Sequence, residues 1–158
     1  FHMNAKNIQP LNGNIDTRIK KLNDGKYDCI ILAEAGLSRL SSLLEKQNYK
    51  QLEHITCSGQ GVLAVQWKEG SKVEDFIKSS LLFGQMKELN EQIKMERNLL
   101  KKLNAGCNSA ISIFASNGFL QGEIFGRDKF ITFSGNNVDQ LYKDITANNG
   151  LNLLNEHH

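Results

Sequence analysis

Cys107 is the residue whose type and setting most directly suggest chemistry. It lies in the polar stretch 106–109, between a predicted helix and a predicted strand. A thiol in such a loop is a candidate nucleophile or covalent attachment point, and the alternative from position alone is an incidental loop cysteine. Cys29 lies inside an apolar run and is expected to be a small core residue. Cys57 precedes a Gly-Gln-Gly turn and has no assigned role.

A second set of candidates, suited to binding anions, lies near the start of the chain. Arg18 falls on the polar side of a predicted helix, where it faces either solvent or a carboxylate ligand. Gly13 precedes that helix and Gly36 precedes the next, and the unpaired N–H groups of helix starts can hold anionic groups. Turn chemistry alone also explains both glycines, so both interpretations stay open.

Metal binding and serine hydrolysis have little support in the sequence. His54 has Cys57 three residues later, but no second pair of ligands follows at a zinc-type spacing. The other histidines belong to the two ends of the chain, which look like a cloning remnant (1–3) and the stub of a tag (157–158). A hydrolase-type nucleophile elbow is also missing, so neither kind of site is predicted.

Length and composition limit the classes of function. The chain has 158 residues, enough for one ordinary domain, and its 19 Lys and Arg against 17 Asp and Glu give a net charge of +2. This balance supplies no basic field for nucleic acid, and no apolar run approaches the ~18 residues that span a bilayer. Three cysteines leave at least one thiol free, which favours a reducing compartment.

The first third of the chain has the pattern of a parallel βαβ unit. Residues 7–11 are a short extended candidate, and residues 15–22 have apolar side chains at helical spacing behind the cap candidate Asn14. Residues 28–33 form a continuous apolar run that suits a strand buried on both faces. A helix over 37–45 would begin at the carboxyl end of that strand, where ligands sit in open parallel sheets.

From about residue 68 the pattern changes to antiparallel α+β. One more strand is expected at 62–67, after the Gly59-Gln60-Gly61 turn, and the joint between the two patterns falls at about 68–72. The expected elements beyond it are helices at 73–82, 85–103 and 138–148 and strands at 110–115, 120–125 and 129–133.

Three motifs resemble one protein family in order and spacing, from about residue 5 to the end. GNIDTR at 13–18, followed by KLNDGKYDCIILAEAGLSRL at 21–40, resembles the "RGNVxTRLxKLdxGxYDAiiLAxAGLxRL" stretch of the hydroxymethylbilane synthase, or porphobilinogen deaminase, family. GQG at 59–61 resembles its "GQGxlai" segment, and ERNLLKKLNAGC at 96–107 resembles its "ERxfLxxLxGGC" motif.

The resemblance implies an enzyme of tetrapyrrole biosynthesis that condenses four porphobilinogen units head to tail, each losing ammonia, into linear hydroxymethylbilane. It implies a dipyrromethane cofactor attached to Cys107 through a thioether. Arg18 matches a family arginine that pairs with the acetate and propionate groups. The expected cofactor-binding residues are Cys107, Arg18, Gly13, Ala33 and Gly36. The partners are porphobilinogen and the growing oligopyrrole, with no nucleic acid and no membrane.

The resemblance also implies a fold and a partner chain. The fold is α/β plus α+β: a partial parallel βαβ domain, periplasmic-binding-protein-like, and then a small domain with a three-stranded antiparallel sheet and helices. Residues 4–46 would be part of the second domain, 47–70 a returning segment of the first, and 71–156 the third, cofactor-attachment domain. The family's catalytic aspartate, in an "SxKD" motif, lies upstream of residue 1. The missing amino-terminal half is therefore an expected partner chain. The expected location of the protein is the cytoplasm or a plastid-type organelle.

The sequence departs from the family pattern at a few positions. Asn12 stands where the first motif begins with arginine, and Ala105 replaces the first glycine of "GGC". Residues 110–112 replace the usual "PIG" after the cysteine. These changes keep the attachment thiol but remove a bidentate carboxylate partner. The alternative to the enzyme is a catalytically inactive remnant, or a binding or structural fragment of the same fold.

Overall fold

A computed structural model describes residues 7–37, 48–80, 86–106 and 108–156. The chain divides into two compact units, 1–52 and 53–158, and each is described by itself. In chain order the elements are α1 (Ile15–Asn23), α2 (Glu34–Leu37), α3 (Glu74–Ser79), α4 (Lys87–Lys102), β1 (Ile111–Ser116), β2 (Phe119–Phe125), β3 (Phe130–Gly135), α5 (Val138–Ala147) and α6 (Gly150–Asn155).

Unit 1 contains the predicted first helix. Helix α1 begins after Asn14, which caps it, and ends beside a Lys20–Asp24 ion pair of 2.9 Å. The expected spacing of apolar residues is present, and it buries Ile19, the single buried hydrophobic residue among those described in this unit. Of the expected helix 37–45, Leu37 is the last residue of α2, and residues 38–45 lie outside the described residues.

The strands predicted in the first part of the chain are not formed. Residues 7–11, 28–33 and 62–67 belong to no strand, and Ile31 is 62% exposed. The expectation that Cys29 is a core residue was wrong, because this thiol is exposed. A strand of a parallel sheet needs a hydrogen-bonding neighbour and cover on both faces, and the described residues of unit 1 supply neither. Among the described residues, no strand of the predicted parallel βαβ part is formed.

Unit 2 contains the predicted three-stranded antiparallel sheet, in the order β1-β2-β3. Ile113, Gly122 and Phe133 lie opposite one another across the three strands. The β1–β2 connection is made by Asn117 and Gly118, which both have positive φ (50° and 72°). This backbone matches the twist of the strands it joins, which explains the Asn-Gly pair.

Helices α4, α5 and α6 cover one face of this sheet. Leu99 of α4, Leu120 of β2 and Leu153 of α6 are fully buried in the shared core. The side chains alternate along β2, so that positions 120, 122 and 124 face the helices. The buried core consists of Leu99, Leu103, Ile113, Ala115, Leu120, Ile124, Phe133, Leu141, Ile145, Leu153 and Leu154.

The sequence pattern missed helix α6. Gly150 lies just after the expected helix 138–148, is buried and begins a helix of its own. A Cβ at this position would lie 2.5 Å from Cγ2 of Ile145 and 2.9 Å from Cδ1 of Ile131. The glycine is therefore required for close packing between elements. No helix in the described part of the chain is long and apolar enough to cross a membrane.

Candidate functional site

The start of helix α1 has a backbone that needs glycine. Asn14 Oδ1 accepts hydrogen bonds from the backbone N–H (2.9 Å) and the Oγ1 (2.7 Å) of Thr17. Gly13 immediately before it has φ +115°, and a Cβ there would lie 2.8 Å from Cγ2 of Thr17. Both the positive φ and the crowding exclude a side chain, so the predicted Gly13 has a definite structural role.

Three side chains hold the backbone of the loop before α1. Arg18 Nε donates to the carbonyl of Gly13 (2.7 Å), and Lys21 Nζ donates to that of Asn12 (2.9 Å). The hydroxyl of Tyr27 donates to the carbonyl of Pro10 (2.9 Å). The loop is therefore held by polar contacts from the helix and from the residues after it, with little buried apolar surface.

This loop, α1 and the start of α2 border an open cleft of about 450 Å³. The cleft brings together four of the five predicted cofactor-binding residues, which are far apart in sequence: Gly13, Arg18, Ala33 and Gly36. Gly36 faces α1 closely, because a Cβ there would lie 2.6 Å from Cδ1 of Ile15. The other residues that line the cleft are Asn14, Ile15, Asp16 and Leu32.

The charges in the cleft suit a carboxylate ligand at Arg18. Its side chain is half-buried, and the bond from Nε to Gly13 fixes the guanidinium while using one of its five N–H donors. Asp16 is an exposed residue in the first turn of α1, where its negative charge interacts favourably with the positive end of the helix dipole. Sequence reasoning assigned no role to Asp16. Its negative charge lies in the same cleft, where Arg18 is the only cationic side chain among the described residues of the lining.

Cys107, the fifth predicted residue, lies outside the described residues. The residues on either side of it are held in turns. Ala105 N–H donates to the carbonyl of Leu100 (2.9 Å), and Gly106 N–H donates to Oγ of Ser109 (3.0 Å). The connection from α4 to β1 therefore has fixed ends.

A second open depression, of about 470 Å³, lies in unit 2 between α4 and the start of α5. Lys102 Nζ contacts Oδ1 of Asp139 there at 2.7 Å. The hydrogen bond and the charge of Lys102 hold the pKa of Asp139 below its ordinary value. An ion pair this exposed is a surface contact and supplies no reactive group. Among the residues described, no group of three or more His, Cys, Asp or Glu side chains is placed to hold a metal ion.

Comparison with known proteins identifies one family. The family model described as "Porphobilinogen deaminase, dipyromethane cofactor binding domain" matches residues 2–75, which include the whole cleft. A porphobilinogen deaminase of Streptococcus sanguinis (strain SK36) is 41% identical over 112 residues, 68% of this chain and 36% of the relative. A porphobilinogen deaminase of Listeria monocytogenes serovar 1/2a is 34% identical over 157 residues, 94% of this chain and 50% of the relative.

These matches place the chain among proteins that have a dipyrromethane cofactor-binding domain. The chain belongs to the porphobilinogen deaminase family, as its motifs predicted. It spans about half the length, or less, of the curated relatives it matches. The dipyrromethane expectation is confirmed by the family model, whereas Cys107 lies beyond the matched residues 2–75.

Proposed function

We propose that this chain forms the carboxyl-terminal half of a hydroxymethylbilane synthase, a transferase that condenses four porphobilinogen units head to tail with loss of ammonia. The observation that carries the proposal is the cleft within the matched residues 2–75, which gathers Gly13, Arg18, Ala33 and Gly36. In the complete enzyme, residues 4–46 belong to the second domain, 47–70 return to the first, and 71–156 form the third. Residues 28–33, which form no strand in this structure, would gain strands to pair with in that assembly.

The residues of the cleft fit a pyrrole group that carries acetate and propionate side chains. Arg18 supplies a planar set of donors for a carboxylate, and the glycines at 13 and 36 keep Cβ atoms out of a crowded wall. Leu32 and Ala33 add apolar surface for the ring. These residues bind and orient the cofactor, while the dipyrromethane itself supplies the pyrrole to which substrate units are added.

Cys107 is the proposed attachment point, since a thiolate is the soft nucleophile that forms a thioether with an electrophilic carbon. The hydrogen bonds that fix Ala105, Gly106 and Ser109 support a defined place for this connection. Proton transfer to the leaving amine requires a carboxylate from the amino-terminal half. The activity proposed here is therefore that of the assembled enzyme.

Mass measurement of the assembled protein tests the attachment. The chain is co-expressed with the amino-terminal half of a relative, and its intact mass is measured. The expected result is an increment that fits two pyrrole units and is lost in Cys107→Ser. An unmodified Cys107 in a well-folded assembly would contradict the enzyme and favour the inactive remnant.

Arg18→Ala tests the cleft in the same assembly. Loss of a charge-assisted hydrogen bond to a carboxylate is expected to raise the KM for porphobilinogen about tenfold or more. Lys20→Ala is the matched control, because Lys20 lies on the same helix, is exposed and pairs only locally with Asp24. Equal effects of the two substitutions would count against a site at Arg18.

A further inference from the structure

The outer edge of β1 is covered by hydrogen-bond acceptors from three different places. β1 lies at the edge of the sheet, where a strand ordinarily leaves alternate N–H groups unpaired. Ile111 N–H donates to the carbonyl of Ser109, and Ile113 N–H to that of Thr56, both at 2.9 Å. Ala115 N–H donates to the carboxylate of Glu96, also at 2.9 Å. The last of these acceptors is a side chain from helix α4.

Glu96 joins three parts of unit 2 through one carboxylate. Its side chain is only 3% exposed, although charged groups are rarely buried. Besides the bond from Ala115 to Oε1, Oε2 accepts from Oγ of Ser58 (2.8 Å) and from N–H of Gly59 (3.0 Å). Helix α4, strand β1 and the turn at 57–61 are therefore linked at a single buried group. Removal of this group would leave three donors without their acceptor.

The position of Glu96 matters because of what lies between the two elements it joins. α4 ends at Lys102 and β1 begins at Ile111, so residues 103–110 span the gap, with Cys107 among them. Glu96 ties the helix on one side of this connection to the strand on the other side. The distance between the two ends of the connection is then set by a contact outside it.

We propose that Glu96 is a positioning residue, which fixes both ends of the 103–110 connection and holds the Ser58-Gly59 turn against the same strand. The consequence for the reaction, a defined presentation of the Cys107 thiol, rests on the proposed function. The three hydrogen bonds that Glu96 accepts from Ser58, Gly59 and Ala115, called the clamp below, do not depend on the proposed function.

Glu96→Gln separates the two sides of the clamp. The amide oxygen of the new glutamine can still accept a hydrogen bond from the N–H of Ala115. Its NH₂ group then faces the N–H of Gly59, and two donors cannot form a hydrogen bond with each other. Ser58→Ala is milder, because it removes one donor from the turn and leaves the bond to Ala115. Glu91→Gln is the control, since Glu91 is exposed on the same helix and the charge change is the same.

Hydrogen exchange of the whole chain, followed by mass spectrometry, measures the clamp. We expect Glu96→Gln to speed amide exchange about tenfold or more in peptides that cover 56–61 and 108–116, with α5 and α6 unchanged. Ser58→Ala should affect 56–61 only, and Glu91→Gln neither. Uniformly faster exchange across unit 2, or no change, would overturn the proposal.

A second measurement tests the consequence for the thiol. In the assembly with an amino-terminal half, Glu96→Gln should lower the fraction of Cys107 that carries the cofactor at least threefold, whereas Ser58→Ala and Glu91→Gln should not. Full loading of Glu96→Gln would show that the clamp does not position the thiol. If wild-type protein carries no cofactor, the proposed function fails while the exchange result still decides the clamp.

Discussion

Each of the two units is stabilised internally by a different kind of contact. In the described part of unit 2, eleven buried hydrophobic residues form a core, drawn from three strands, three helices and Leu103 just after α4. In the described part of unit 1, Ile19 alone is buried, and the loop at the cleft is held by side chains that donate to backbone carbonyls. The cleft thus lies in the unit with little apolar burial, and the connection with Cys107 lies in the unit that has a core. Stability and ligand binding should therefore respond to different substitutions.

The largest effect is expected from a cavity in the core of unit 2. Leu99→Ala removes a side chain with no exposed surface and should lower the free energy of unfolding by about 2–5 kcal/mol. Leu63→Ala, at a residue that is 87% exposed, should change it by less than about 0.5 kcal/mol. Chemical denaturation measures both. Equal losses would mean that the surface at Leu63 is covered in solution.

A glycine from each unit offers the next comparison. A Cβ at Gly122 of β2 would overlap the backbone oxygen of Ser112 and the ring of Phe133, so Gly122→Ala should cost about 1–3 kcal/mol. A Cβ at Gly36 would meet only the end of the Ile15 side chain, which can rotate away. Gly36→Ala should therefore be close to neutral in thermal unfolding. The comparison between the units would break if Gly36→Ala were the more harmful of the two.

Asn12→Arg is expected to change binding and leave stability unaltered. It restores the cation that begins the family motif, beside a loop that Lys21 and Arg18 already hold through its carbonyls. One added carboxylate partner should tighten retention of the pyrrole chain in the assembled enzyme by about tenfold. Asn90→Arg adds the same charge to an exposed position of α4 and should do nothing. Unchanged retention in Asn12→Arg would refute the idea that this position weakens the site.

The smallest predicted effect is a change in the pH dependence of the melting temperature. Lys102 lowers the pKa of Asp139 in the folded chain, so the pair stabilises unit 2 at neutral pH, and this contribution is lost as the pH falls below about 4 through the lowered pKa. Asp139→Asn should therefore narrow the difference in Tm between pH 6 and pH 3 slightly. The narrowing should vanish in concentrated salt, because the pair is exposed. A wider difference in Asp139→Asn would have the wrong sign.

Local patterns predicted most of unit 2 and the first helix of unit 1. The three strands, α1 and α4 lie within two or three residues of their expected bounds, since periodicity, caps and the Asn117-Gly118 turn are encoded in neighbouring residues. The prediction of a strand at 28–33 is wrong for a physical reason: its apolar residues match a buried strand, but a strand's pairing and cover come from elsewhere in a fold. The same reason explains Gly150, whose packing against Ile145 is not visible in a local pattern.

The candidate site was predictable in part. Gly13 and Arg18 could be found because a left-handed turn, a cap and a cation follow one another within six residues. Asp16 lies in the same motif, and its negative charge is visible in the sequence. The clamp at Glu96 gave a weaker signal, an acid at a core-facing position of an amphipathic helix. Its partners at 58, 59 and 115 are too distant in sequence for any spacing rule to connect them.

Helix α6 has a consequence for the order in which this chain acquires its structure. Leu153 and Leu154 of α6 lie in the core beside β2, a strand that is made about thirty residues earlier in synthesis. The core of unit 2 cannot close until residue 154 has left the ribosome. During translation the part of the sheet that α6 covers, beside β2, therefore stays exposed until that point, although α4 and α5 have already been made.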